Sequence, residues 1–348
     1  MDYFEKINQL PIKENPIILG IESSCDETAA ALVQGGRVIL SQEIISSSLE
    51  QAKYGGVVPE IASRAHTDAV SDAVNGALKK AGLNFSDIDA IAVTYGAGLL
   101  GALLVGLSYA KALAFSLSIP LIGVSHIRGH MAAAYLADTQ LKPPFIGLLA
   151  SGGHTAITVV EDYTKLKLLG GTLDDAVGEA FDKVARVLGL QYPGGPNVER
   201  LAKVGENNIA LPKMLKGVGG YNFSYSGLKT AVINYKHQRD QKGEEYNKAD
   251  IACSFQSAAL DILVDKAIEA SIEYNVPTIA VGGGVAANGY LREQITKKCA
   301  NKSIKVVLPP KLLCTDNAAM IAAEGYVRYI NREFSDLTLN AKAQVSLT

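Results

Sequence analysis

The segment Phe145-Ile-Gly-Leu-Leu-Ala-Ser-Gly-Gly-His-Thr-Ala-Ile-Thr-Val-Val160 decides the reading of the fold. The apolar run Phe145–Ala150 reads as a buried strand, Ser151–Thr155 as a tight polar turn, and Ala156–Val160 as a second strand. The same layout stands earlier in the chain. Ile17–Glu22 is an apolar strand, Ser23-Ser-Cys-Asp-Glu-Thr28 a small polar turn ending in Thr, and Ala29–Val33 a strand again. Gly35-Gly36 then turns into a third strand, Arg37–Ile45. Two such units read as an internal duplication, its halves starting near residues 17 and 145; chance resemblance between two hairpins is the competing reading. Turns of this kind expose backbone N–H groups and hydroxyls that suit a phosphate. Two lobes of βββα build, each offering a hairpin to a shared cleft, would grip a nucleotide between them.

Outward from the first hairpin, the sequence predicts a helix over 63–81, a strand over 88–94 and an apolar helix that opens at Tyr95-Gly-Ala-Gly98 and continues to Ser118. Its most apolar part, Ala97–Ala110, falls short of the roughly 18 residues a span requires, so it reads as a buried core helix. Its small residues Gly98, Gly101, Ala102 and Gly106 would also admit a helix from a partner chain. Pro120–Val124 leads into Ser125-His-Ile-Arg-Gly-His130 and a helix to Ala137. Two imidazoles at i and i+4 share one helix face and can hold one cation from two sides. The plain alternative is a pair of polar residues at a helix start. Zinc peptidases place a Glu directly after the first His as general base; here that position is Ile127, which argues against peptide hydrolysis. A third ligand must come from elsewhere, and Asp316, at a helix start where capping is its ordinary role, is the best-placed oxygen donor.

Further on, the pattern predicts a helix over 174–188 with a core stripe of Val177, Phe181, Val184 and Leu188. Asp175, Glu179, Asp182 and Arg186 lie on another face, either simply solvated or able to take a ribose hydroxyl pair. Tyr192–Pro196 reads as a rigid bare loop, 205–230 as loop-rich, 236–248 as a charged insertion and 249–274 as helix. The strand Pro277–Val281 runs into Gly282-Gly-Gly-Val-Ala-Ala-Asn288. Glycines between a strand and a helix let a nucleotide approach the backbone, with Asn288 placed to read an adenine edge or a hydroxyl. A final helix runs to about Asn331, and the tail to Thr348 reads as weakly ordered.

Composition bounds these readings. A chain of 348 residues, 48% hydrophobic and 20% charged with 33 Gly, is that of a globular two-lobed enzyme. Four unpaired Cys, at 25, 253, 299 and 314, suit a reducing compartment and offer no zinc knuckle. The net charge of -2 gives no bulk attraction for a nucleic acid, which would have to be held by local patches or helper proteins. The N-terminus lacks the apolar core of a signal peptide.

These motifs together carry a family resemblance. GIESSCDET at 20–28, GGVVPEIASRAH at 55–66, HIRGH at 126–130, SGGHT at 151–155, the run from Glu179 through Asp182 to Ala185, YPGGP at 192–196, FSYSGLKTA at 223–231, GGGVAAN at 282–288 and CTDNAAM at 314–320 resemble the bacterial TsaD type of tRNA threonylcarbamoyladenosine synthase, formerly described as an O-sialoglycoprotein endopeptidase. The likeness runs from about Ile17 to Val327. It implies an actin-like, two-lobed α/β fold of the sugar kinase and heat-shock ATPase kind. The first lobe would be 1–137, with the C-terminal helical segment 318–348 returning to it, and the second 138–317.

The implied reaction moves a threonylcarbamoyl group from threonylcarbamoyl-AMP to N6 of adenosine 37 in tRNAs reading codons that begin with A, releasing AMP. The resemblance makes His126, His130 and Asp316 the ligands of one divalent metal per subunit, iron by preference, zinc or magnesium otherwise. It gives Leu149, Ala150, Ser151, Gly152 and Gly153 the phosphate side of the substrate, and Asp182, Gly195 and Asn288 its ribose and base. Asp26 and Glu27 are candidate general bases. Implied partners are tRNA, an inactive paralogue of TsaB type and a P-loop ATPase of TsaE type, in the cytoplasm and away from membranes. A metallo-endopeptidase, an actin-fold small-molecule kinase and a non-catalytic nucleotide-binding module are the alternatives.

Overall fold

Unpaired edges and buried strand faces explain most of the architecture. The computed structural model describes residues 2–212, 214–215 and 219–347, so positions 213 and 216–218 of the stretch read as loop-rich lie outside the described residues. The chain divides into Met1–Lys142 with Thr315–Thr348, and Pro143–Cys314.

The first unit holds a sheet of β1 (Ile17–Glu22), β2 (Glu27–Gln34), β3 (Val38–Ser46), β4 (Ala90–Gly96) and β5 (Leu121–Ser125), in the order β3-β2-β1-β4-β5. β1–β2 and β2–β3 are antiparallel; β1–β4 and β4–β5 are parallel. The second holds β6 (Phe145–Ala150), β7 (Thr155–Val160), β8 (Leu166–Gly171), β9 (Thr278–Gly282) and β10 (Lys305–Val307), in the order β8-β7-β6-β9-β10 with the same directions. The duplication read from two hairpins thus extends to all ten strands. β1 and β6 are central strands, each with one antiparallel and one parallel neighbour, and are buried almost throughout, hence their continuous apolar runs. β8, an edge strand with Lys167 and two glycines, carries no such run and is not visible in the sequence pattern.

The unit boundaries fall at 142 and 314 rather than at 137 and 317. The guanidinium of Arg37 donates to the carbonyls of Tyr135 and Leu141, at 3.3 and 3.1 Å, which keeps 138–142 with the first unit. Asn317 donates to the Thr315 carbonyl at 2.8 Å and caps the helix Ala318–Ile330, which keeps 315–317 there too. That helix lies on β1 and β4 so closely that a Cβ on Gly20 would strike the Ala318 carbonyl, and one on Gly325 would strike Ala92.

The C-terminal segment is not helical to residue 348, nor is its tail loosely held. Ser335 N–H donates to the Leu121 carbonyl at 2.8 Å and Gly123 N–H to the Ser335 hydroxyl at 3.1 Å. Lys342 N–H donates to Tyr95, and Gly98 N–H to the Ala343 carbonyl. Leu337, Leu339 and Ala341 pack on the core. The tail covers the outer edge of β5, whose backbone groups would otherwise stand open.

Two other expectations change. The helix Leu100–Leu117 buries only one face, through Ala102, Leu103, Gly106, Leu107, Ala110 and Ala114; Leu100, Leu104 and Phe115 are exposed. It is the one helix among the described residues long and apolar enough to cross a membrane. The charged stretch 236–248 is helical through Lys242, as the last turns of Ser226–Lys242. The first residues form a helix, Tyr3–Asn8, capped by Asp2 and seated by Ile7 and by the Tyr3 hydroxyl, which donates to the Ile119 carbonyl.

Candidate functional site

In the first unit, β5 ends at Ser125 and the helix His126–Ala137 follows without a loop, so His126 and His130 stand one turn apart beside the end of the sheet. Their ring centroids are 4.6 Å apart. Asp316, just before the Ala318–Ile330 helix, brings one carboxylate oxygen to 3.5 Å from His126 Nε2 and 3.3 Å from His130 Nε2. The three residues offer ligand atoms within 4.8 Å of one another. Two imidazoles and one carboxylate are a donor set shared by ferrous iron and zinc sites. The capping that Asp316 was expected to supply falls to Asn317 instead.

Behind His126 lies Glu22, the last residue of β1, which is fully buried. Its carboxylate accepts from His126 Nδ1 at 3.0 Å, from the Thr94 hydroxyl at 2.7 Å and from the Ser24 N–H at 2.6 Å. Burial pushes the Glu22 carboxyl up, and the neighbouring His126 more than reverses this, holding it below its ordinary range. Burial lowers His126, but Asp316, Glu22 and Glu27 outweigh it and lift the imidazole to about 9. Burial and His126 together depress His130. Burial raises Asp316, while the two imidazoles pull it well below the carboxylate range.

The turn after Glu22 carries Asp26 and Glu27. Burial first, then Asp26 and Asp316, push the Glu27 carboxyl up to about 9. His66 braces this turn: its Nε2 lies 2.9 Å from the Cys25 carbonyl, an acceptor only, so Nε2 carries the proton and Nδ1 accepts from the Thr28 hydroxyl at 2.7 Å. The sequence pattern gave no sign of Glu22, Thr94 or His66 as site residues. Apart from the Ser24 N–H on Glu22, their partners lie 38 to 104 positions away, beyond the reach of any local spacing.

In the second unit, Leu149 and Ala150 are buried strand residues and offer only backbone. Ser151 closes the hairpin: its N–H donates to the His154 carbonyl at 2.8 Å and its carbonyl accepts from Gly178 N–H at 3.1 Å. Gly152 and Gly153 are exposed at the tip, with open space around each Cα. Gly283, after β9, has φ +93°, and a Cβ there would collide with the Ala150 carbonyl. Gly178 likewise rests on the Ser151–Gly152 backbone. The three glycine segments around Gly152, Gly178 and Gly283 therefore meet at one place.

Asp182 and Gly195 are also together, though not as read. Tyr192–Pro196 is not a bare loop but the start of the helix Gly194–Ala202, and Asp182 accepts from Gly194 N–H at 2.7 Å. Proline is tolerated in a first turn, where no intrahelical N–H is needed. Gly195 itself has open space beside it. Burial raises the Asp182 carboxyl against the pull of the Gly194 and Gly195 N–H groups. Asn288 caps the helix Gly289–Ala300 by accepting from Leu291 N–H at 3.1 Å, and donates to Gln256 at 2.9 Å, so its side chain is engaged within the protein.

The family model for tRNA N6-adenosine threonylcarbamoyltransferase, TsaD, matches residues 38–323. The chain belongs to the TsaD family. A relative of that name from Clostridium botulinum strain Kyoto is 51% identical over 337 residues, covering 97% of this chain and 99% of its own. One from Clostridium perfringens strain ATCC 13124 is 52% identical over 336 residues, covering 96% and 99%. Among solved structures, full-length HypF in its phosphate- and nucleotide-bound form aligns with a TM-score of 0.62 at 16% identity, over 93% of this chain and 48% of that one, a likeness of fold alone. The fold is the actin-like α/β class. The family is one of acyltransferases, which does not favour the peptidase and small-molecule kinase alternatives.

Proposed function

We propose that this chain transfers the threonylcarbamoyl group of threonylcarbamoyl-AMP to N6 of adenosine 37 in tRNAs that read codons beginning with A, releasing AMP. The observation that carries the reading is the cluster of His126, His130 and Asp316, with Ile127 where a peptidase would need its Glu. The cluster would hold one divalent cation, iron by preference over zinc or magnesium. When bound, such a cation supplies Lewis-acid charge to a phosphate oxygen. The Gly152 and Gly153 N–H groups, without hydrogen-bond partners among the described residues, would offer donors to an anion such as the adenylate phosphate. Asp182, with Gly195 beside it, would take ribose hydroxyls; a role for Asn288 at the base would require its bond to Gln256 to be exchanged. Adenine N6 is a poor nucleophile, so positioning must supply much of the rate. Asp26 or Glu27 would accept the proton released in N6 attack; burial, then Asp26, raises the Glu27 carboxyl to about 9. An inactive paralogue of TsaB type, a P-loop ATPase of TsaE type and a cytoplasmic location are proposed from the family resemblance. The net charge of -2 agrees with tRNA binding shared among subunits.

The test incubates the purified chain and its partner proteins with threonylcarbamoyl-AMP and unmodified tRNA, then identifies the modified nucleoside by mass. Product formed by the wild type and lost in His126→Ala is the expected result. No product, in a mixture where the Clostridium botulinum relative is active, overturns the assignment.

A further inference from the structure

We propose that Glu22 is a positioning residue for the cation cluster: by accepting the Nδ1 proton of His126, it leaves that ring's Nε2 lone pair for the cation. The proposal rests on the reading of His126, His130 and Asp316 as ligands. Every group facing the Glu22 carboxylate can donate to it. Ser24 N–H meets Oε1 at 2.6 Å, and the Thr94 hydroxyl and His126 Nδ1 meet Oε2 at 2.7 and 3.0 Å. The backbone amide cannot accept, so Oε1 is an acceptor whatever the rest does. Glu22 ends β1 and Thr94 lies two residues before the end of β4, its parallel neighbour, a floor beneath the imidazole. With the proton on Nδ1, Nε2 is the nitrogen that faces Asp316. This is the carboxylate–histidine–metal relay, in which an outer carboxylate fixes tautomer and ring orientation. His130 has no such support: its Nδ1 is buried without a hydrogen-bond partner among the described residues. The orientation of the cluster therefore depends on one outer group, behind one ligand.

The isosteric amide exposes the logic. In Glu22→Gln, the single amide oxygen must serve Ser24 N–H, since the reverse orientation sets donor against donor. The NH2 group then faces Thr94, whose hydroxyl can turn and accept, and His126 Nδ1, which must also accept. The His126 proton moves to Nε2, the nitrogen the cation requires. Shape is kept and the tautomer is reversed. The Ser24 hydroxyl, 3.1 Å from the same Nδ1, is the rival partner.

The experiment uses the full chain with zinc as a diamagnetic probe. Affinity is read by chelator competition, and the His126 ring by nitrogen-15 NMR of the zinc-loaded protein. The wild type is expected to show a protected Nδ1–H and coordination through Nε2. Glu22→Gln should bind zinc about 10–100-fold more weakly and lose that resonance, with its thermal midpoint in chelator near the wild type's. Ser24→Ala should keep both the affinity and the resonance. Wild-type affinity in Glu22→Gln, or an equal loss in Ser24→Ala, overturns the role of Glu22. Coordination through Nδ1 in the wild type overturns it even if Glu22→Gln fails to fold. A wild-type chain that takes up neither zinc nor iron overturns the ligand assignment, and the proposal with it.

Discussion

The two hairpins that reveal the duplication, Glu22–Thr28 and Ala150–Thr155, have the same topology and opposite chemistry. The first is built of side chains. Its Glu22 carboxylate bonds His126, Asp26 and Glu27 follow in the turn, and His66 clamps its backbone from the Pro59–Ala81 helix. The second is built of backbone, with a bare Gly152-Gly153 tip held at its base by Ser151, Gly178 and Gly283. A hairpin that keeps its side chains can organise a cation and a proton. One that has shed them can offer amides to an anion. The duplicated scaffold supplies the same turn twice, furnished with side chains in one unit and with bare backbone in the other.

The comparison can be broken most severely at the first hairpin's partner. His126→Ala removes a proposed cation ligand and should lower transfer by at least about 10³-fold, measured as modified nucleoside per tRNA, while adenylate binding at the second hairpin stays within a few-fold. Next, Gly283→Ala places a Cβ against the Ala150 carbonyl at φ +93°. It should cost about 1–3 kcal/mol, read by urea unfolding, where the open position Gly152→Ala should cost less than about 0.5 kcal/mol.

A narrower cut is Gly152→Pro, which deletes one N–H. Loss of one hydrogen bond to a charged group, about 1.5 kcal/mol or roughly tenfold, should appear in the adenylate dissociation constant and leave zinc affinity untouched. A fall in both would mean that the two hairpins do not divide the work. The last test is a slope. Unfolded, the Glu27 carboxyl ionises near 4.5; folded, near 9, chiefly because it is buried. Between those values the unfolded chain has released a proton that the folded chain retains, so stability declines as pH rises and levels off above about 9. Glu27→Gln should flatten that decline in pH-dependent denaturant melts.

Residues whose meaning is carried by near neighbours were legible in the sequence. The hairpins, the i, i+4 histidine pair and the glycine run at 282–284 each announce themselves within a few positions. The run Tyr192–Pro196 reads as a loop because Pro and Gly signal loops, whereas here the prolines occupy the cap and first turn of a helix whose N–H groups are answered by Asp182, ten or more positions away. Glu22 ends an apolar strand and looks like a solvent-facing terminus; only His126 and Thr94, brought in by other strands, make it a buried acceptor. The tail beyond Ile330 is polar and without period, and the β5 edge that orders it is more than 200 residues upstream.

The Ala318–Ile330 helix and the tail after it have a consequence for how the protein is made. The second unit is one continuous stretch, Pro143–Cys314, and can close its sheet as soon as that stretch has emerged from the ribosome. The first unit cannot. The groove over Gly20 and Ala92 stays bare until the helix arrives, and the rim of β5 stays unpaired until Ser335 and Lys342 reach it. The half of the chain synthesised first is completed last, so a nascent molecule carries an open sheet through most of its translation.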